Sequence, residues 1–478
     1  MSKRNDTEWL INRIKIENLM GHAQNLYGFA KSNGNTRVAG SKGHQLTIDY
    51  IKNITTKAGY DVKLQPFEFG FTEIVKQKLT ISGAMDKDVP IAAMAFGGST
   101  PKQGITAELV IISDLEGKKS STACNQEDFK HVDIGGKIAL IERGECSFNI
   151  KTENAAKAGA AAVIIYNNTP GDIKGKLSAD NRSKIPVGSI SQGEGRKLIR
   201  AASKNKLRLN LSLIQETRAI KTYNVIAETK QGDPKNVVVL GGHSDSVRAG
   251  PGLNDNGSGT LALLEVALQM QDAKPKNKVR FIWFSAEESG LLGSKYYTSK
   301  LSNEDVKNIA VMLNFDMIAS PNYVISVYNG DERGTPLPPG SNAVTKMFVD
   351  YFEKKREVYQ TAVYPFSRSD VGPFAKLRIA VGGLDTGAEK RKTQEQARKF
   401  GGKVGEPFDW CYHRACDDVS NLSQKALIIN AKAMAHAVAT YQEDVSSVRN
   451  PRPDDESNLS NVVEALESTT DGCDLVEE

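Results

Sequence analysis

The sequence predicts an α/β fold, in which helices cover both faces of a mostly parallel or mixed sheet, together with a smaller α+β domain inserted into it. Two observations favour this architecture. From about residue 216 to 445, short β-branched runs alternate with helical stretches, which is typical of strands joined by helices. Residues 105–212 carry their own apolar runs, separated by glycines and charged turns, which indicates a separate unit.

The composition is that of a globular protein. The chain has 478 residues, 39% of them hydrophobic and 25% charged, and a formal net charge of +5. These values exclude wholesale disorder, and the length allows two or three domains. No dense basic stripe accompanies the charge, so we expect no nucleic-acid partner. No apolar run approaches the ~18 residues of a membrane span.

The predicted elements follow the chain in four parts. In the first, residues 1–104, a helix-like stretch closes at Ile51 to Thr56, strand-like alternation begins at Tyr60, and Gly97 to Pro101 forms a break. In the insert, residues 105–212, buried-strand patterns at Ile138 to Ile141 and Ala162 to Tyr166 flank a helix-like piece from Asn149 to Ala161.

The third part, residues 213–446, carries the candidate catalytic residues. Its apolar runs at 236–240, 279–284 and 309–313 are predicted strands, and Leu261 to Met270 is a predicted helix. The last part, residues 447–478, is acidic and rich in serine, so we expect a flexible tail with a short helix near Val462 to Glu467.

Metal-ligand side chains follow the predicted strands directly. His243 ends one apolar run, Asp255 lies in a glycine-rich loop after it, and the next two runs lead to Glu287-Glu288 and Asp316. The carboxyl ends of parallel strands line one crevice, so these side chains are expected to converge. The alternative interpretation is that these residues lie on surface loops. It would account for any one of them, but it accounts poorly for four in succession after predicted strands.

Imidazole and carboxylate ligands suit zinc, and a shared carboxylate is typical of two-metal hydrolytic sites. Adjacent Glu287 and Glu288 point to opposite sides if the strand end is extended, so one can bind metal while the other acts as a base. Asp245 is close enough in sequence to accept the second N–H of His243.

Other catalytic motifs are missing from the sequence. It has no His-Glu-x-x-His pair, no Gly-x-Ser-x-Gly elbow and no phosphate loop. Of the other histidines, His436 lies in an alanine-rich helical run and is expected to be packed. His413 lies between Cys411 and Cys416, which form either a small disulfide loop or part of a zinc knuckle.

Five cysteines bear on the compartment. Cys124, Cys146, Cys411 and Cys416 form two local pairs, which favours two disulfides, while Cys473 is left over; five free thiols are the alternative. No apolar secretory segment is visible at the start, so the protein is cytosolic or its numbering begins after a removed signal. Asn-x-Ser/Thr patterns are weak support for a glycoprotein, among them those that begin at Asn53, Asn167, Asn181, Asn210, Asn421 and Asn458.

At this point the chain resembles the co-catalytic zinc aminopeptidases of the aminopeptidase Y type, whose peptidase domain carries an inserted protease-associated (PA) domain. The similarity runs from about residue 15 to 445. The matching peptidase motifs are His243–Asp245, Gly252–Gly259, Ala286–Ser294, Asn314–Met317, Gly383–Glu389 and Cys411–Asp417, and those of the insert are Gly136–Gly144 and Ala158–Ile164. Val371 departs from the pattern, since relatives often have histidine there.

The resemblance implies the zinc-peptidase fold and a role for each site residue. Two Zn²⁺ ions are expected, one held by His243 and Asp316 and the other by Glu288 and His413, with Asp255 bridging them. A bridging water is then the nucleophile, Glu287 the general base, and Tyr412 a donor to the oxyanion. The Asp255–Asn256 peptide is expected to be cis.

The resulting expectation is a secreted or vacuolar, monomeric metallo-aminopeptidase that acts on peptides with a free N-terminus. Three alternatives stay open: a related zinc carboxypeptidase, a catalytically inactive receptor-like scaffold, and a cytoplasmic dipeptidase-like enzyme. Only 65 residues follow His413, too few for the long helical dimerisation domain of those carboxypeptidases. An inactive scaffold predicts missing ligands, whereas all five ligand positions and Glu287 are filled.

Overall fold

The computed structural model describes residues 6–82, 87–112, 122–173, 175, 177, 183–331 and 334–449. They divide into two compact units, the first formed by residues 6–69 and 220–449 and the second by residues 70–219. The predicted tail beyond residue 449, its short helix and Cys473 lie outside the described residues. The predicted insert, residues 105–212, falls within the second unit, and its boundaries stay a prediction.

The helices are α1 (Glu8–Ile11), α2 (Ile16–Lys31), α3 (Lys42–Lys57), α4 (Phe148–Lys157), α5 (Gln192–Ala202), α6 (Gly259–Gln269), α7 (Leu292–Ser299), α8 (Asn303–Asn308), α9 (Ser341–Lys355), α10 (Val371–Lys376), α11 (Gln394–Phe400) and α12 (Gln424–Tyr441). The strands are β1 (Asp61–Ser82), β2 (Lys87–Val89), β3 (Ala92–Ala93), β4 (Ile105–Ile111), β5 (Ile138–Glu142), β6 (Ala162–Tyr166), β7 (Val187–Ile190), β8 (Arg208–Glu228), β9 (Asp233–His243), β10 (Asn277–Phe284), β11 (Ile309–Phe315), β12 (Ser326–Asp331), β13 (Gln360–Tyr364) and β14 (Ala380–Asp385).

The first unit contains a mixed sheet in the order β13-β12-β14-β11-β9-β10-β8. Its centre is parallel, because β9 pairs in parallel with both β10 and β11, and β11 pairs in parallel with β14. β8 and β12 run antiparallel to their neighbours β10 and β14. The carboxyl ends of the four central strands therefore share one edge of the sheet.

Helices cover both faces of this sheet, as the sequence predicts. In β10, Phe281 and Trp283 pack into a core formed with α6 and α12, while Ile282 and Phe284 pack into the opposite core with α7 and α10. A strand buried on both faces is apolar along its length rather than alternating. This explains the continuous apolar run from Phe281 to Phe284 in the sequence.

The second unit has its own sheet and two apolar cores. β4, β5, β6 and β7 pair successively in parallel, while β3 runs antiparallel to β7. The predicted strands at Ile138 and Ala162 are confirmed. The helix α4 ends before the predicted Ala161, because Gly159 takes a left-handed φ of +90° and turns the chain into β6.

No described helix is both long and apolar enough to cross a bilayer. His436, on α12, is packed as predicted, with its ring stacked on Tyr351 at 4.6 Å between centroids.

Candidate metal centre

The predicted metal ligands meet at the carboxyl edge of the parallel strands. β9 ends at His243, β10 ends three residues before Glu287, and β11 ends one residue before Asp316. His413 comes from the long segment between β14 and α12. All these residues belong to the first unit, and the sheet sets the spacing of those that follow its strands.

The ligand atoms form two groups that share one residue. His243, Asp255 and Asp316 make up the first group and Asp255, Glu288 and His413 the second, with ligand atoms of each group within 4.8 Å of one another. Nε2 of His243 lies 3.3 Å from Asp255 Oδ1 and 3.4 Å from Asp316 Oδ1. Nε2 of His413 lies 3.1 Å from both Asp255 Oδ2 and Glu288 Oε2.

These groups suit a bound cation. Asp316 Oδ1 and Glu288 Oε1 are buried and accept no hydrogen bond from the described residues. Buried carboxylate oxygens without partners are costly unless they are neutralised or coordinate a metal. Burial, with the nearby Asp255 carboxylate, raises the pKa of Glu288 to about 7. Two imidazoles and three carboxylates are ligands that zinc accepts, so the residues present fit zinc.

The glycine-rich loop that carries Asp255 depends on small residues. Gly252 has a left-handed φ of +63°, and a Cβ there would lie 2.3 Å from the carbonyl oxygen of Asp255. The Asp255–Asn256 peptide is cis, as the resemblance implies. The Asn256 side chain donates to the Phe315 carbonyl at 2.8 Å and accepts from the Gly259 amide at 2.9 Å.

His243 is oriented differently from the prediction. Its Nδ1 donates to the backbone carbonyl of Asp245 at 3.2 Å, while the Asp245 carboxylate lies 3.6 Å away. That carboxylate instead accepts the backbone N–H of Glu287 at 3.2 Å. The tautomer of His243 is therefore set by a carbonyl, and Asp245 links the turn of Glu287 to the end of β9.

Glu287 and Glu288 diverge because of a turn, so the predicted alternation along an extended strand is wrong. Ala286 has a left-handed φ of +57°, and the amides of Gly290 and Leu291 both donate to the Glu287 carbonyl. Glu287 Oε2 lies 3.8 Å from Nε2 of His243. Burial raises the pKa of Glu287 well above its ordinary value, although His243 opposes this.

Asp316 is held by a side chain that the sequence argument did not single out for this role. Ser369 donates its hydroxyl to Asp316 Oδ2 at 2.7 Å, and accepts at 2.8 Å from the side-chain amide of Asn314. The neighbouring Val371 is fully buried in the apolar core at the start of α10.

Tyr412 and His413 lie in a loop closed by the Cys411–Cys416 disulfide, which confirms the predicted pairing and overturns the zinc-knuckle alternative. Their rings stack at 3.8 Å between centroids. Arg368 donates from one guanidinium nitrogen to the Tyr412 hydroxyl at 3.3 Å and from another to Glu389 at 2.8 Å. The second predicted disulfide, Cys124–Cys146, is also present.

Sequence reasoning gave no role to Arg37, Arg368 or Asp417, all of which contact the site or its loops. Asp417 is the last residue of the motif Cys411–Asp417, and Arg368 lies three residues before Val371, so proximity was a usable signal. Arg37 lies in a polar stretch far from every motif, and only the fold reveals that it is fully buried.

Comparison with known families agrees with this architecture. The model of peptidase family M28 matches residues 224–438, and the model of the PA domain matches residues 105–198. These ranges fall in the first and second units respectively.

Several known proteins are similar over most of the chain. "Leucine aminopeptidase 2" of Arthroderma otae is 39% identical over 436 residues, which cover 90% of this chain and 85% of that protein. An "Aminopeptidase" of Pseudomonas aeruginosa is 40% identical over 441 residues, covering 88% and 80%. Among solved structures, an aminopeptidase from Aneurinibacillus has a TM-score of 0.74 at 29% identity, covering 93% and 98%. A zinc aminopeptidase from Bacillus subtilis has a TM-score of 0.64 at 28% identity, covering 89% and 98%.

Proposed function

Since the chain belongs to peptidase family M28 and is a zinc-dependent aminopeptidase with a PA domain, we propose that it removes the first residue of peptides with a site for two Zn²⁺ ions. His243 and Asp316 would hold one ion and Glu288 and His413 the other, and Asp255 would contribute to both sites. The names of the relatives make leucyl peptides the first substrates to test. These relatives favour the aminopeptidase over the carboxypeptidase and inactive-scaffold alternatives.

One observation supports the proposal above the others: two ligand groups share Asp255 and are complete. A carboxylate whose two oxygens face different histidines is suited to bridge two ions. Neither group requires a residue from outside the first unit.

Zinc bound there would supply Lewis acidity, which would polarise the scissile carbonyl and increase the acidity of the attacking water. Glu287 accepts a proton from that water on its carboxylate and delivers it to the leaving amine nitrogen. The Asp245 carboxylate accepts the backbone N–H of Glu287. This bond holds the Glu287 side chain near the two ligand groups, although Glu287 belongs to neither of them.

Tyr412 donates its hydroxyl hydrogen to the oxyanion that develops on the carbonyl oxygen. Arg368 already donates to the oxygen of this hydroxyl, so the hydroxyl's own hydrogen is left for another acceptor. Stacking on His413 fixes the ring. A free α-ammonium group is attracted to the buried carboxylates, whereas an acylated amine carries no charge, and this difference restricts cleavage to the first residue.

The test is hydrolysis of leucyl-p-nitroanilide and of its N-acetyl derivative, before and after chelation and zinc re-addition, with zinc counted by elemental analysis. We expect cleavage of the free-amine substrate alone, loss on chelation, recovery with zinc, and two ions per chain. Full activity with one ion per chain would overturn the two-zinc proposal but leave the aminopeptidase activity intact.

We also propose that the protein is a secreted or vacuolar monomer whose PA domain spans residues 105–212. The two disulfides support an oxidising compartment. Of the glycosylation patterns, Asn167 and Asn421 are buried in the fold and Asn53 is exposed. Fractionation of the source cells and light scattering of the purified protein test location and oligomeric state.

A further inference from the structure

The loop formed by residues 250–255, here called the bridging-ligand loop, is held from two sides by two buried polar residues. Arg37 donates hydrogen bonds to carbonyl groups near the beginning of the loop, and Asp417 accepts hydrogen bonds from amide groups at the end of the loop. Asp255, the shared residue of both ligand groups, is the last residue of this loop.

Arg37 is fully buried, and each of its three guanidinium nitrogens donates to a backbone carbonyl. Nε donates to Pro251 at 2.8 Å, one terminal nitrogen donates to Gly252 at 2.6 Å, and the other donates to Ser244. Ser244 directly follows the ligand His243. Burial lowers the pKa of Arg37 only to about 10, so the group is charged at neutral pH. Arg37 therefore ties the end of β9 to the bridging-ligand loop.

Asp417 is 1% exposed and accepts three consecutive amides. Its backbone carbonyl accepts from Leu253 at 2.9 Å, Oδ1 accepts from Asn254 at 2.9 Å, and Oδ2 accepts from Asp255 at 3.0 Å. Asp417 directly follows Cys416, the end of the disulfide loop that carries His413. It therefore ties the loop of one ligand to the backbone of another.

We propose that Arg37 and Asp417 act together as positioning residues, which fix Asp255 between the two ligand groups before any metal binds. This inference rests on the proposed two-zinc site. Hydrogen bonds to carbonyls on one side and from amides on the other oppose a shift of the loop in either direction. Groups that orient ligands in this way typically contribute about 10–100-fold to metal affinity.

The first experiment compares zinc affinity, measured by competition with a chromogenic chelator, for the wild type and the variants Arg37→Met, Asp417→Asn and the double variant. In each single variant, the dissociation constant of the more weakly bound zinc ion should rise about 10-fold or more. The fold-loss in zinc affinity of the double variant should be smaller than the product of the two single fold-losses, because both residues hold the same loop. Arg37→Lys keeps the charge but cannot donate to all three carbonyls in the same geometry. Its zinc affinity should therefore lie between those of wild type and Arg37→Met.

Asn277→Ala is the matched structural control. Asn277 is buried, donates to the Tyr441 carbonyl at 2.9 Å, and lies at the opposite end of β10 from Glu287. This variant should lower the melting temperature and leave zinc affinity within about twofold, as expected for a hydrogen bond outside the site. If the Arg37 and Asp417 variants behave in the same way, or if their losses multiply, the proposal is overturned.

A measurement on the wild type covers variants that fail to fold. Hydrogen exchange of the amides of residues 253–255 should stay slow after zinc is removed, because Asp417 holds them without metal. Exchange as fast as in an unfolded peptide would overturn the presetting of the loop. If the wild type binds no zinc at all, the proposed function fails, and the exchange result still decides whether the loop is preset.

Discussion

Oδ2 of Asp255 lies 3.1 Å from Nε2 of His413, although the two residues come from opposite ends of the catalytic segment. The other oxygen of Asp255 faces His243. One carboxylate thus serves both ligand groups, and its replacement affects the whole site at once.

The substitution Asp255→Asn is therefore expected to lower zinc content by at least one ion per chain. The amide places an N–H₂ group where an oxygen faced an imidazole. Loss of metal-based charge stabilisation, worth several kcal/mol, lowers kcat/KM by about 10³-fold. Elemental analysis and leucyl-p-nitroanilide kinetics measure both effects. Asp350→Asn, on the exposed face of α9, is the isosteric control, and full zinc content in Asp255→Asn would contradict the bridging role.

Glu287 and Glu288 are adjacent, but their substitutions should have different consequences. Glu287→Gln removes the proposed base without removing a ligand, so kcat should fall about 10²–10⁴-fold with zinc content unchanged. Glu288→Gln should lose zinc, because its carboxylate belongs to the second ligand group. Equal loss of zinc in both variants would show that Glu287 is a ligand instead of a base.

Tyr412→Phe tests the proposed oxyanion donor. Removing one such donor costs about 10²–10³-fold in kcat, and KM should change little because the bond forms mainly in the transition state. Arg368→Met removes the donor to the Tyr412 hydroxyl oxygen, so it should lower kcat less. The double variant should be no slower than Tyr412→Phe alone. A kcat within twofold of wild type for Tyr412→Phe would exclude the donor role.

Much of the site follows from the sequence because parallel strands impose a common edge. His243, Asp316 and the Glu287-Glu288 pair each follow an apolar run, and the order of the runs places them together. The mixed sheet and its two helical faces were predicted on the same grounds. These features depend on local pattern, which a single sequence displays.

The features of the site that the sequence does not predict depend on contacts between distant segments. Oδ1 of Asp245 accepts the Glu287 amide and lies 3.6 Å from Nδ1 of His243, which donates to the Asp245 backbone carbonyl. Nothing local marks Arg37 as buried, since its partners are carbonyls more than two hundred positions away. Backbone acceptors carry no signature in side-chain composition, so such contacts are found only in the folded chain.

The Cys124–Cys146 disulfide should contribute more to stability, and the Cys411–Cys416 disulfide more to activity. Cys124–Cys146 closes a longer loop, so its removal costs ~3 kcal/mol in the chain-entropy account, against ~2 kcal/mol for Cys411–Cys416. Only the second loop carries Tyr412 and His413. Replacing Cys411 and Cys416 by Ser should therefore lower kcat/KM and zinc affinity, whereas the other pair of replacements should mainly lower the unfolding free energy. Unchanged kinetics without the Cys411–Cys416 bridge would show that Asp417 and the packing of Tyr412 position the loop unaided.

His436 should make stability depend on pH between about 4 and 6.5. Burial, with Lys354 and Lys355 nearby, lowers the pKa of this histidine to about 4, and Glu8 only partly opposes this. The unfolded chain therefore binds more protons in this range, so the stabilisation is complete above about pH 6.5 and is lost as pH falls toward 4. The difference corresponds to at most ~3 kcal/mol.

The variant His436→Phe keeps an aromatic ring against Tyr351 but removes the titrating group and the hydrogen bond to Thr7 at 2.8 Å. At pH 7 it should be less stable than wild type by about 1 kcal/mol, the net value of one hydrogen bond. At pH 4.5 the order should reverse, because only wild type must take up a proton on unfolding. Urea unfolding of zinc-free protein at both pH values measures this, with the exposed His131→Gln as control. A difference between wild type and His436→Phe that is the same at both pH values would show that His436 does not titrate with folding.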